Sequence, residues 1–170
     1  MNGRTIANEV FSITCEGMRK TSELVAEGRH GWSDDRITDE RFPLQNHAPV
    51  NRTIELVEFR RMPTAYEQVA DEFMRLGLEC PTYEDALYFG IQHSEELKRL
   101  PPIAFPHQPV PIVWPRWPAQ NQIQVNMPSV LELSASGDPG TEEPTIHFWW
   151  FSKRPGRACT FAAIRASAKA

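Results

Sequence analysis

Pro101-Pro102-Ile103-Ala104-Phe105-Pro106-His107-Gln108-Pro109-Val110-Pro111-Ile112-Val113-Trp114-Pro115-Arg116-Trp117-Pro118 is the stretch on which the architecture turns. Proline fixes φ and removes a backbone donor, so neither a helix nor a central strand is expected to run through all of it. Yet Ile103, Phe105, Val110, Ile112, Val113, Trp114 and Trp117 are residue types that folded proteins bury. The segment therefore needs a cover, either the rest of its own domain or a partner. Taken alone it resembles an exposed polyproline-type ligand; its place between helices and strands predicts instead a buried or edge segment that wraps the domain. Val110 to Trp114 reads as a short strand, with Pro109 and Pro115 marking its ends.

Upstream, the pattern is helical. Thr64-Ala65-Tyr66-Glu67 reads as a capping box, followed by Val69, Ala70, Phe73 and Leu76 at helical spacing and closed by Gly77. Cys80-Pro81 connects to a second helix opened by Thr82-Tyr83-Glu84-Asp85, with Ala86, Leu87, Phe89, Gly90 and Ile91 on its apolar side and a final turn from Ser94 to Leu97. Further upstream, Val10 to Thr14 reads as a first strand, and a helix from about Met18 to Glu27 is predicted to end with Gly28 at C′. Trp32 to Pro43 reads as loop. Thr53 to Phe59 alternates as a half-buried strand, with Ile54, Leu56 and Val57 on one side.

Downstream, Ile123–Met127 and Val130–Leu133 read as two strands and Ser134–Pro144 as a polar loop. Thr145–Phe151 and Thr160–Arg165 read as a closing strand pair. The fold class that follows is α+β: one domain over residues 1–170, an antiparallel or mixed sheet with a packed helix pair, residues 1–100 forming a strand/helix half and 101–170 an aromatic, proline-rich half.

Composition narrows the function classes. A chain of 170 residues is long enough for a real core. A net charge of −4 gives no general support for nucleic-acid binding. Acidic residues concentrate between Arg61 and Leu100, while Lys153, Arg154, Arg157, Arg165 and Lys169 make the tail basic; a solvated helix face and tail account for both, and phosphate contact by the tail is the functional alternative. Cys15, Cys80 and Cys159 are odd in number and widely spaced, which fits free thiols rather than a disulfide framework or a zinc site. With no apolar leader at the N-terminus and no run long enough to span a bilayer, the expectation is a soluble cytoplasmic protein.

A resemblance emerges from several of these pieces in order: Gly28 and Trp32, then Ile37-Thr38-Asp39-Glu40-Arg41-Phe42-Pro43, the strand Ile54 to Phe59, Leu76-Gly77-Leu78, Pro81 to Gly90, and the terminal Phe161-Ala162-Ala163-Ile164-Arg165. Together they resemble a group of small uncharacterised bacterial proteins common in candidate-phylum and metagenomic sequences. The likeness covers most of residues 18–100 and the last twenty or so, and residues 101–144 depart from it. It implies a single domain and carries over no functional residue.

No residue pattern announces a reaction. His30, His47, His93, His107 and His147 never stand at metal-binding spacing, and each alone reads as surface or structural; His147, inside an aromatic strand, needs a ring partner. Asp34-Asp35 and Asp39-Glu40 could serve acid/base work or hold a cation, but they also suit turns and caps. Cys80 precedes a helix that would favour a thiolate, although its apolar neighbours argue for burial. No P-loop, dinucleotide fingerprint or nucleophile elbow is present, and no cofactor is implied.

The aromatic set admits core packing, a protein-binding surface, or a stacking platform for a sugar or base. Trp149 and Trp150 must face opposite sides of a strand, which points to a binding face. The candidate binding residues are Trp114, Arg116, Trp117, Trp149 and Trp150. The expected function is non-enzymatic binding of another protein, or self-association, in an accessory or inhibitor-like role. A small enzyme or ligand-binding domain built from distant histidines and carboxylates is the alternative, and nucleic-acid binding through the basic tail ranks third. Membrane association is not expected.

Overall fold

The computed structural model of the chain describes residues 3–45, 47–115, 122–138, 140–150 and 160–165, by backbone alone at 5, 7, 8, 108–115, 122–128 and 150. In chain order the elements are β1 (Gly3–Cys15), α1 (Thr21–Glu27), β2 (Trp32–Ser33), β3 (Val50–Phe59), α2 (Tyr66–Arg75), β4 (Leu78–Glu79), α3 (Tyr83–Gln92), α4 (Ser94–Leu97), β5 (Ile103–Pro115), β6 (Gln122–Ser136), β7 (Glu143–Trp150) and β8 (Thr160–Arg165). The strands form one mixed sheet in the order β1-β3-β8-β5-β6-β7-β2, with β4 paired to β8 off that path. The fold is α+β, and strands from both halves of the chain share the sheet. Among the described residues no helix is long and apolar enough to cross a membrane.

The helices divide between the two faces. Leu24 of α1, Ala86, Leu87 and Phe89 of α3, and Leu97 of α4 are buried with Phe11, Ile13, Ile54, Leu56, Phe105, Leu131 and Phe148 of the sheet. On the opposite face Val69 and Phe73 of α2 are buried with Val57, Ala104, Val130, Phe161 and Ala163. β3 is therefore covered on both sides. Ile54 and Leu56 enter one core and Val57 the other, which corrects the half-buried reading. Glu55, between them on the strand, meets Arg165 at 2.5 Å.

Local signals survive unevenly. α3 opens as expected: the Thr82 hydroxyl accepts from the Asp85 amide at 3.2 Å, and the Asp85 carboxylate accepts from the Thr82 amide at 2.7 Å. Gly77, at φ +73, ends α2 as expected. The box expected at Thr64 does not form, because the N-cap of α2 falls one residue later, on Ala65, and the Thr64 amide donates to the Gln68 side chain instead. Gly28 has an ordinary helical φ of −61, and the left-handed turn falls on Arg29 at φ +45. β7 and β8 are not neighbours: β7 lies between β6 and β2, and β8 between β3 and β5.

The proline-rich run forms one long strand, not a short one. β5 pairs antiparallel with β6 from Ile103↔Leu133 to Pro115↔Gln122, so the two strands expected between Ile123 and Leu133 are also one. Two features admit the prolines. β8 pairs with β5 only at Ile103 and Ala104, so beyond them β5 has no described neighbour on that side. Pro106, Pro111 and Pro115 face Val130, Asn126 and Gln122, partners spaced four apart on β6. All three prolines thus share one phase of the ladder, the one whose backbone nitrogens point away from β6. The register shift between His107 and Val110 absorbs the odd spacing from Pro106 to Pro111 and takes up Pro109.

Candidate binding face

The strand β2 is placed by the turn before it. Arg29 reverses the chain after α1, and the His30 ring packs so closely on Gly28 and Gly90 that a Cβ on Gly90 would come within 3.1 Å of it. The Gly31 amide then donates to the Pro144 carbonyl at 2.9 Å, and Trp32–Ser33 run parallel to Thr145–Ile146. Beyond Ser33 side chains take over the pairing. The Asp34 carboxylate accepts from the Phe148 amide at 3.4 Å, and the Arg36 guanidinium donates to the Phe148 carbonyl at 2.8 Å. Arg36 also holds Asp34 at 2.5 Å and lies over the Phe148 ring. Burial works against the Asp34 carboxylate, but the bonds from Arg36 and Phe148 hold it below the usual carboxylate range.

This arrangement sets three rings in a stack. Trp32 lies on His147 with centroids 4.4 Å apart and planes 30° apart, and His147 lies on Trp149 at 5.9 Å and 12°. Strand alternation puts His147 and Trp149 on one face and Phe148 in the core on the other. Trp32 closes the stack on the outside with 48% of its surface exposed. Beneath the rings Glu132, fully buried, stands opposite His147 on β6, and Ser134 bonds Thr145 at 2.9 Å. Among the described residues the buried indole nitrogen of Trp149 has no hydrogen-bond partner.

Of the residues singled out in the sequence, Trp149 joins this face, and Trp150 is the last residue of β7. Trp114 lies near the end of β5, opposite Ile123. Arg116 and Trp117 lie outside the described residues, as do Cys159 and the basic tail apart from Arg165. Trp32 was missed by a reading that treated it as loop. A lone indole among turn residues, Gly31-Trp32-Ser33-Asp34-Asp35, was the available signal.

The other titratable groups are engaged in local pairs. His47 meets Glu84 at 2.9 Å and the Ala48 carbonyl at 2.7 Å, and both bonds raise its pKa. His93 bonds the Ser12 carbonyl at 2.9 Å, and His107 bonds Ser129 at 3.3 Å inside the core. Cys15 touches Asp85 at 3.6 Å; burial and the neighbouring carboxylates push its thiol far up, so it is a poor nucleophile. Burial also raises Cys80. Asp39 caps α1, accepting from the Ser22 amide at 2.7 Å. Among the described residues no three histidine, cysteine or acidic side chains converge as a metal site would require. Comparison of the chain with protein-family models, curated proteins and solved structures finds no match to any of them.

Proposed function

We propose that the protein is a non-enzymatic binding protein that engages another protein through the aromatic face at β2 and β7, with the Trp/Pro-rich strands beside it. The observation that carries this reading is Trp32: a large indole, fixed from behind by His147 and Trp149, yet 48% exposed. A rigid, half-exposed tryptophan is the usual anchor of a protein interface, because its area is buried at little entropic cost. The enzyme alternative draws support from Glu132 opposite His147, a carboxylate and an imidazole on neighbouring strands. It lacks an activated nucleophile among the described cysteines. Nucleic-acid binding has less: Arg165, the described member of the basic tail, is tied to Glu55.

The test is affinity capture with the full chain, comparing wild type, Trp32→Ala and a remote control, Met74→Ala, on the exposed side of α2. A partner retained by wild type and Met74→Ala, but weakened at least about tenfold by Trp32→Ala, supports the reading. Equal retention by all three, or a self-association unaffected by Trp32→Ala, overturns it.

A further inference from the structure

We propose that the partner presents an arginine, whose guanidinium stacks on the open face of Trp32 and pairs with the carboxylate of Glu143. The inference rests on the binding reading above and names the chemistry of the occupant. Trp32, His147 and Trp149 already form three stacked layers, with planes 30° and 12° apart, so the free layer position lies over the outer face of Trp32. Tryptophan is the strongest aromatic acceptor of a cation, and guanidinium is the planar cation that continues a stack.

Charge around the ring points the same way. Glu143 lies against Gly31, where a Cβ would overlap its carboxylate, and Gly31 directly precedes Trp32. On β7 Glu143 stands two residues before Thr145, the strand partner of Trp32, and two residues of strand span about 7 Å. That is within reach of one arginine head. Among the described residues Glu143 is exposed and makes no ion pair. A surface cleft of about 480 Å³ carries the acidity onward, lined by Glu27, Glu95, Glu142 and Glu143 against Arg29 and Lys98. Glu95 is neutralised by Lys98 at 2.8 Å and Glu27 by Arg19 at 2.6 Å, so Glu142 and Glu143 are the carboxylates left to attract a basic segment. A lysine meets the charge but not the plane, because its compact ammonium cannot form a fourth layer.

The experiment titrates the full chain with an unstructured peptide of alternating glycine and arginine, and with lysine and glutamate versions of equal length. The Trp32 indole N–H signal, assigned by its loss in Trp32→Phe, reports binding. The arginine peptide is expected to move that signal saturably, the lysine peptide to bind about fivefold or more weakly, and the glutamate peptide not at all. Trp32→Ala should weaken the arginine peptide at least about tenfold, and Glu143→Gln by about threefold or more. Equal affinity for the arginine and lysine peptides, untouched by Trp32→Ala, overturns the proposal, since net charge alone would explain it. A captured protein that depends on Trp32 while the arginine peptide fails to bind overturns the arginine assignment and leaves the binding reading standing.

Discussion

His30 makes stability depend on acid in a way that can be worked out in advance. Its ring lies against Gly28 and Gly90, and among the described residues neither buried ring nitrogen has a hydrogen-bond partner. Burial lowers its pKa from 6.5 to about 4. A base with a depressed folded-state pKa binds fewer protons folded than unfolded, so its contribution is fully present above pH 6.5 and is lost as the pH falls toward 4. At 1.36 kcal/mol per pH unit the ceiling is about 3.4 kcal/mol. The residue keeps some contact with solvent, so about 2 kcal/mol is the expected loss. Urea unfolding at pH 7.5, 6.5, 5.5 and 4.5, for wild type and for His30→Leu, isolates the effect, because every other group titrates in both proteins. The gap between them should shift against the wild type by about 2 kcal/mol across that range, whatever its value at pH 7.5. A gap that stays flat, or moves in the wild type's favour, refutes the reasoning and means that the imidazole finds water or a partner when protonated.

Three further outcomes follow from the packing. Phe42 is fully buried among Tyr83, His107 and Phe148, so Phe42→Ala should cost about 3–5 kcal/mol in urea unfolding, and less than 1 kcal/mol would mean that its loop is not anchored there. Cys15 should resist a thiol reagent at pH 8 until the protein is unfolded in urea, because its thiolate is disfavoured by burial first and by Asp85 second; rapid native labelling, mapped by mass spectrometry, would contradict this. Arg36→Ala strips the buried Asp34 of its partner and the Phe148 carbonyl of its donor, at an expected cost of about 1–3 kcal/mol and with concentration-dependent association in sedimentation. An unchanged Tm and an unchanged sedimentation profile would show that the clamp contributes neither stability nor edge protection.

What the sequence made legible was local. The box at Thr82 and the stop at Gly77 depend on groups within three or four residues, so pattern reading finds them. The box at Thr64 has the same letters and fails, since Gln68 competes for the same amide. β3 looked half-buried because alternation cannot reveal that α2 covers its other face. The prolines looked like breakers because nothing in the run itself says that β5 has no described neighbour on one side beyond Ala104, or that a register shift keeps Pro106, Pro111 and Pro115 in phase. At the candidate face, Trp149 was named from alternation alone. Trp32 was not: it is brought to His147 by a chain reversal at Arg29, a non-glycine residue that gives no signal for a left-handed turn.

The place of β8 has a consequence for how the chain is made. Among the described strands β8 alone joins β1-β3 to β5-β6-β7-β2, hydrogen-bonding to β3 on one side and β5 on the other. It is also the last described strand to leave the ribosome. Until it arrives, Val57 and Ala104 lack the Phe161 and Ala163 packed between them, and two incomplete sheets present facing edges. β8 is therefore inserted as a central strand into a gap between strands made before it, so the nascent chain must hold that gap open without filling it with another molecule.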